Sequence, residues 1–390
     1  MLFGTALAAA LVGSAAAAPF AGQRTVVDFL QKRDTAVQPD FNITYSSPVN
    51  ESLPRTLIMA TGGTIAGASG SATDATNYKA GSIGVEALVD AVPILLNISN
   101  VDGMQVSNVD SGSITDDIVI ELSKLTNMAL CSDNAPYDAV VITHGTDTLE
   151  ETAFTIDATL TCNKTAVVVG AMRPATAISA DGPYNLIEAV QTAISPSSHG
   201  RGVLITLNDR ICQAYYCEKT NANALDTFKA PEQGFVGGLL STAPFFYYPP
   251  SQPTFKRVYD IANVTSFPRV DILYSHQEAV FDGVNVSVAH GAKGFIGAGT
   301  GAGGISPFAS DNLDYVIEQG IPVVASTKIN NGLVHLAGAV VPGETPGQYI
   351  SSALLNPVKS RRLLQILLAL GKSVDEIREA FEEPMRSFLY

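Results

Sequence analysis

The sequence predicts an α/β protein with a larger N-terminal doubly wound sheet domain and a smaller C-terminal α/β domain. Three observations carry that reading. Short β-rich apolar runs alternate with helical patterns. The chain has 390 residues, more than the about 250–300 that one hydrophobic core sustains. A proline-rich stretch without apolar periodicity interrupts the alternation at 246–268. The boundaries that follow are a signal peptide at 1–18, an N-terminal extension at 19–54, the larger domain at 55–245, a linker at 246–268 and the smaller domain at 269–390.

Taken in order, Met1 to Ala18 is an apolar run ending in the small residues SAAAA, which suit signal-peptide cleavage although no basic segment precedes the run. The polar residues of 19–54 show no clear period and read as chain before the fold begins. The runs RTLIMATGG, YDAVVITHG, TAVVVGAM, RGVLITLND, VDILYSH, AKGFIGAG and GIPVVAST are bounded by Gly, Asn or Pro, as buried parallel strands are. Helix starts lie between them. Thr148 to Glu151 matches a capping box, Asp181-Gly182-Pro183 precedes YNLIEAVQTAI, and Asn356-Pro357 precedes VKSRRLLQILLALG with proline in the first turn.

Composition narrows the function. With 37 acidic against 23 basic residues and a net charge of -14, the chain lacks the basic face that nucleic acid demands. A small polar ligand suits that balance better, and because no uncharged apolar run beyond the first twenty residues reaches the roughly 18–20 residues of a membrane span, the mature protein is expected to be soluble. Six Asn-x-Ser/Thr sequons, at Asn42, Asn50, Asn97, Asn163, Asn263 and Asn285, and four cysteines point to the secretory route, with an extracellular, cell-wall or periplasmic destination. Four cysteines allow three pairings. The spacing of Cys212 and Cys217 suits a clip across one hairpin or loop, which leaves Cys131 with Cys162.

Ligands of open parallel sheets bind beyond the carboxyl ends of strands. Two such ends carry chemistry. At Thr61-Gly62-Gly63-Thr64 a glycine pair lets backbone N–H groups approach a ligand between threonine hydroxyls, and at Thr143-His144-Gly145-Thr146-Asp147 a strand again runs through glycine into a helix start. Asp147 at that start could equally be a cap facing the helix dipole. Gly299 to Gly304 fits GxGxxG, but it lies late in the chain and is read as a tight turn. The five histidines show no metal spacing, and no cofactor or metal is implied.

With both threonine bends in view, the chain resembles the secreted type-II L-asparaginases of the bacterial and fungal asparaginase-glutaminase family. The motifs are ATGGTIAG and ITHGTDTLEETA, followed by GAMRPATAISADGPYNL, Asp209, Lys219-Thr220-Asn221 and Asn356-Pro357 with Lys359, so the likeness runs from about Arg55 to the C-terminus. It implies that Thr64 is the nucleophile, that Tyr78 stands on a mobile flap, here one residue longer, and that Thr146, Asp147 and Lys219 form the second catalytic group. It implies that Ser111 grips the substrate carboxylate, with Gly63, Gly145 and Asp147 completing the binding site, and that Cys131 pairs with Cys162. It also implies a homotetramer, with the site completed by a neighbouring subunit. Three positions depart from the pattern. Gly112 replaces a glutamine, Gly304 stands where the neighbour's loop offers Asn or Ser, and the intersubunit glutamate falls near Ala339, with Glu344 the nearest acid.

The chemistry implied is hydrolysis of L-asparagine. Thr64 attacks the side-chain amide, backbone N–H groups around Gly63 and Thr146 hold the oxyanion, ammonia leaves, and water releases aspartate from the acyl-enzyme. Lys219 is either charged and paired or neutral and able to accept a proton. The alternatives are a broader glutaminase-asparaginase, a non-catalytic amino-acid-binding protein of two-lobed α/β fold, and a tRNA amidotransferase subunit, which the acidic balance and secretory features oppose.

Overall fold

A computed structural model describes residues 41–74, 76–335 and 347–389. The signal-peptide segment, Ala339 and Glu344 lie outside the described residues. In chain order the larger domain runs β1 (Ile43–Ser46), β2 (Arg55–Gly62), α1 (Val85–Asp90), β3 (Asn100–Val109), α2 (Asp116–Leu130), β4 (Ala139–Thr143), α3 (Leu149–Asp157), β5 (Ala166–Val169), α4 (Gly182–Ile194), β6 (Leu204–Leu207), β7 (Arg210–Gln213), β8 (Glu218–Lys219), β9 (Phe228–Lys229), β10 (Gly237–Leu240) and β11 (Ala243–Phe246). The smaller domain follows with β12 (Val270–Tyr274), α5 (Val284–Ala289), β13 (Gly294–Gly299), α6 (Ser310–Glu318), β14 (Val323–Thr327), β15 (Ile350–Ser351), α7 (Pro357–Ala369) and α8 (Val374–Leu389).

The large sheet has the order β1-β3-β2-β4-β5-β6-β7-β10-β11, and the small sheet is parallel throughout in the order β12-β13-β14-β15. Within the large sheet β3, β2, β4, β5 and β6 are parallel. Strand order therefore reverses between β2 and β4, where Ala60 stands opposite Thr143, and the carboxyl ends of these two strands are where open sheets of this kind bind their ligands.

Alternation builds a core on each face of this sheet. Leu57, Met59, Val140, Ile142 and Val168 pack with Leu122 and Ile156 of α2 and α3. Ile58, Ala60, Val141, Val167 and Val169 pack on the other side with Val89 of α1 and Leu186 and Val190 of α4. In the smaller domain Ile296 and Val324 pack on Leu364 and Leu367 of α7, a cluster that also takes in Phe154 of α3. Among the described residues no helix is long and apolar enough to cross a membrane.

Two expectations are corrected. The extension is not wholly outside the fold, because β1 pairs antiparallel with β3, Ile43 facing Met104 and Ser46 facing Asp102. The linker stretch 246–268 packs on the fold. Ile261, Val264 and Phe267 are buried, and Lys256 forms a buried ion pair with Asp157 at 2.6 Å. Cys131 and Cys162 are bonded, but Cys212 and Cys217 are free thiols, both buried. Burial and the neighbouring Cys212 push the Cys217 thiol up, away from the thiolate that disulfide exchange requires.

Candidate active site

The first bend owes its path to glycine. Gly62 and Gly63 have φ of +104° and +76°, a region that L-residues with side chains rarely adopt, and a Cβ on Gly63 would lie 2.3 Å from the Cα and N of Gly145. The bends after β2 and β4 thus touch backbone to backbone. Thr64, 5% exposed, opens the short 3-10 turn Thr64–Ala66, and its hydroxyl is 2.6 Å from the Tyr78 hydroxyl. Tyr78 arrives on a loop closed by paired Ala68–Lys79 hydrogen bonds of 3.1 and 2.9 Å. The loop is docked on the chain before α4: Ala175 N–H donates to the Gly67 carbonyl, Ser69 N–H to the Thr176 hydroxyl and Ile178 N–H to the Ala72 carbonyl.

The second bend gathers charge. Lys219 Nζ donates to Thr146 Oγ1 at 3.0 Å and to Asp147 Oδ1 at 2.5 Å. The Lys219 side chain is 14% exposed and that of Asp147 67%, so the ammonium is held inside while the carboxylate faces solvent. Ser111 is buried beside Gly145, its hydroxyl accepting the Asp147 N–H at 3.2 Å and its carbonyl accepting the Thr148 hydroxyl at 2.8 Å. His144 lies beneath, Nδ1 against the Gly145 carbonyl and Nε2 against the Thr152 hydroxyl. Burial lowers its pKa to about 4 and keeps the ring neutral.

The structure therefore brings Thr64 to Tyr78, Lys219 to Thr146 and Asp147, Ser111 to Asp147, and Gly63 to Gly145. One local expectation fails. Thr148 precedes α3 but caps nothing, since its hydroxyl is bonded to Ser111, and Glu151 turns to Arg362 at 3.3 Å instead of closing a capping box. The Gly63 N–H is committed to the Val109 carbonyl at 2.9 Å, so it is not a donor to a ligand. Gly112 is exposed, and a Cβ there would meet only Asp110 Oδ2 at 3.5 Å, so crowding does not explain the missing glutamine. Gly304 bridges Thr300 by two backbone hydrogen bonds in the tight turn read from GxGxxG. Sequence reasoning missed Glu150 and Glu218, which lie behind the lysine; the alternation of strand residues about Lys219 is the signal that points to the second of them.

Hydroxyls, an amine and a carboxylate at the switch point of a doubly wound sheet are the working parts of an α/β enzyme. Comparison with known proteins narrows that class: residues 55–252 match the family described as "Asparaginase, N-terminal" and residues 269–381 match "Glutaminase/Asparaginase C-terminal domain". The chain belongs to the asparaginase family. It is 42% identical over 344 residues to "L-asparaginase 2" of Bacillus subtilis (strain 168), covering 87% of this chain and 88% of the relative. It is 42% identical over 365 residues to "Probable L-asparaginase 1" of Schizosaccharomyces pombe, covering 92% and 98%. The crystal structure of a "Probable Cytoplasmic L-asparaginase" from Campylobacter jejuni superposes with a TM-score of 0.77 at 36% identity, covering 84% of this chain and 99% of that one.

Proposed function

We propose that the protein hydrolyses L-asparagine to L-aspartate and ammonia through an acyl-enzyme on Thr64. The observation that supports this most directly is the Gly63–Gly145 contact, which joins the Thr64–Tyr78 hydroxyl pair to the Thr146–Asp147–Lys219 group. Thr64 Oγ1 bonds to the amide carbon while its proton passes to Tyr78 and on to the departing nitrogen, which leaves as ammonia. Water then adds to the ester carbon, the Thr64 oxygen regains a proton, and aspartate departs. The backbone donors of Gly63 and Asp147 are already bonded, and the oxyanion is assigned to the N–H groups next to them, those of Thr64 and Thr146. Asp147, open to solvent, meets the substrate ammonium, Ser111 meets its carboxylate, and Lys219 orients Thr146 and, in the second step, water.

The test is ammonia release by purified protein. Thr64→Ala is expected to fold as the parent does and to lose asparagine hydrolysis, whereas retained turnover refutes the nucleophile. Rates on asparagine and glutamine measured side by side separate an asparaginase from a broader amidase, and tight binding without ammonia indicates a binding protein.

The same reading places the protein on the secretory route as a glycosylated homo-oligomer, a tetramer by family resemblance. The Cys131–Cys162 bond and the exposure of all six sequon asparagines support export, and the openness of Asp147 supports completion of the site by a second subunit. A mobility shift on enzymatic deglycosylation of material secreted by the expressing cells, and a mass by light scattering, test the two points. No shift or a monomeric mass refutes them.

A further inference from the structure

The lysine at the second bend is fixed from behind by groups with no part in the chemistry above. Glu218 precedes Lys219 on β8, and alternation sends its side chain to the opposite face. There it is buried, with Oε1 unpartnered and Oε2 3.3 Å from Asn356 Nδ2. The same amide nitrogen lies 3.5 Å from Glu150 Oε2, and Glu150 stands in the first turn of α3, one turn beyond Asp147. Asn356 Oδ1 also caps α7 by accepting the Lys359 N–H at 3.0 Å. Asn356 is thus the point at which the smaller domain meets both arms of the site.

Lys359 is more unusual. It is 2% exposed, and its ammonium donates to the carbonyls of Ala214 and Tyr215 at 3.0 Å each and of Cys217 at 2.6 Å. Burying an ammonium is costly unless its protons are bonded and opposite charge lies near. Three carbonyls use all three protons; the Glu150 and Glu218 carboxyls face the ammonium, but burial raises the pKa of both, that of Glu150 to about 7, so the carbonyls carry the larger share of the compensation. A packing role alone would be met by methionine. The ammonium instead pins the turn 214–217, which delivers β8 and Lys219 to the bend.

We propose that Asn356 and Lys359 are positioning residues for Lys219. Lys359 clamps the turn that feeds β8, and Asn356 ties Glu218 to Glu150, so that the arm carrying Lys219 and the arm carrying Thr146 and Asp147 keep one separation. This rests on the catalytic reading of Lys219 given above. It also gives the smaller domain a task in the reaction, since α7 supplies the clamp.

The experiment compares the parent with Asn356→Ser, Lys359→Met and Lys219→Met, reading kcat and KM on asparagine together with the thermal midpoint. Serine retains a helix-capping oxygen but is too short to bridge both carboxyls. Asn356→Ser is expected to lower kcat by about 5- to 20-fold, with KM within about twofold and the midpoint within a few degrees. Lys359→Met is expected to lower kcat by about 100-fold or more, with a lower midpoint because three buried carbonyls lose their donor. Should Lys359→Met fail to fold, Asn356→Ser decides. A parent-like kcat in Asn356→Ser, or a loss that appears instead as raised KM or a matching fall in midpoint, overturns the positioning role. A parent-like rate in Lys219→Met removes the catalytic reading itself, whereas a slow Lys219→Met beside a parent-like Asn356→Ser removes only this inference.

Discussion

Replacing Gly63 by alanine tests whether the two bends act as one device. The added Cβ would sit 2.3 Å from the Gly145 backbone, whereas ordinary contact begins at 3.4 Å, so the bends must part by about 1 Å. Neither obstructing atom belongs to a flexible side chain, and Gly145 is itself held against Ser111. Gly63 has φ +76° and ψ -169°, a region essentially confined to glycine, and holding alanine there adds about 1–3 kcal/mol of backbone strain. A misplacement of about 1 Å in a reacting constellation costs about 100-fold in rate, or roughly 2.7 kcal/mol of transition-state stabilisation. Gly63→Ala is therefore expected to fold, to melt several degrees lower, and to lose about two orders of magnitude in kcat for ammonia release from asparagine. Gly283→Ala is the control, since its φ is -70° and a Cβ there meets nothing within 4 Å. If Gly63→Ala turns over within about threefold of the parent, the separation between Thr64 and Thr146 is not critical, and the proposed division of labour between the bends is wrong.

Other outcomes follow from the same contacts. Tyr78→Phe removes the hydroxyl 2.6 Å from Thr64 without removing the ring that packs on Gly67, so kcat should fall about 10- to 100-fold at an unchanged thermal midpoint, and an unchanged kcat would deny Tyr78 the proton. The Cys131–Cys162 bond closes a sequence separation of 31, for which the chain-entropy account gives about 3–4 kcal/mol, so the Cys131→Ala/Cys162→Ala protein should unfold at distinctly lower urea with its activity at 25 °C retained. Glu188 is buried beside Asp209, and burial first, then that second carboxyl, raise its pKa to about 8. Because the folded carboxyl binds its proton more tightly than the unfolded one, its contribution is complete below about pH 4.5 and is lost as pH rises through 8. Glu188→Gln should flatten the fall in unfolding free energy across that window by up to a few kcal/mol, and an identical slope in parent and variant would contradict the assignment.

What the sequence made legible was what obeys a short-range rule. Arg55–Gly62, Ala139–Thr143 and Ala166–Val169 are buried on both faces, so they stand out as apolar runs bounded by glycine or by the turn that follows. Asn100–Val109 carries polar side chains at half-buried positions and Gly103 in its middle, where Tyr45 and Val85 press on the space a side chain would fill, and that pattern hid the strand. Ile43–Ser46 is four residues on an edge, recognisable only through its partner. Within the site the threonine bends announced themselves as strand, glycine, hydroxyl. Lys219 lies more than seventy residues from Thr146 and Asp147 on a two-residue strand, and only family resemblance pointed to it. The failed capping box has the same cause: local spacing placed Thr148 and Glu151 correctly, but Ser111 and Arg362, brought in by tertiary packing, took their polar groups.

The distribution of burial across the site carries a last consequence. Thr64, Thr146 and Ser111 are each at most 5% exposed, Lys219 is largely enclosed, and Asp147 alone projects into solvent. An ion pair with one partner so exposed contributes little to stability, because water screens it. The 2.5 Å contact from Lys219 therefore does not explain why a charged pair is kept at this bend. Its use lies in the difference between the partners. Lys219 Nζ, donating to Thr146 Oγ1, fixes that hydroxyl from the protein side, while the proposed reaction uses the exposed Asp147 carboxylate, bonded to Lys219 through Oδ1, to meet the ammonium of an arriving amino acid from the solvent side. On that reading Asp147 keeps Lys219 as a neighbour and gains the substrate ammonium as a second, so the enclosed lysine is not left unpaired and a carboxylate already in place offsets desolvation of the incoming ammonium.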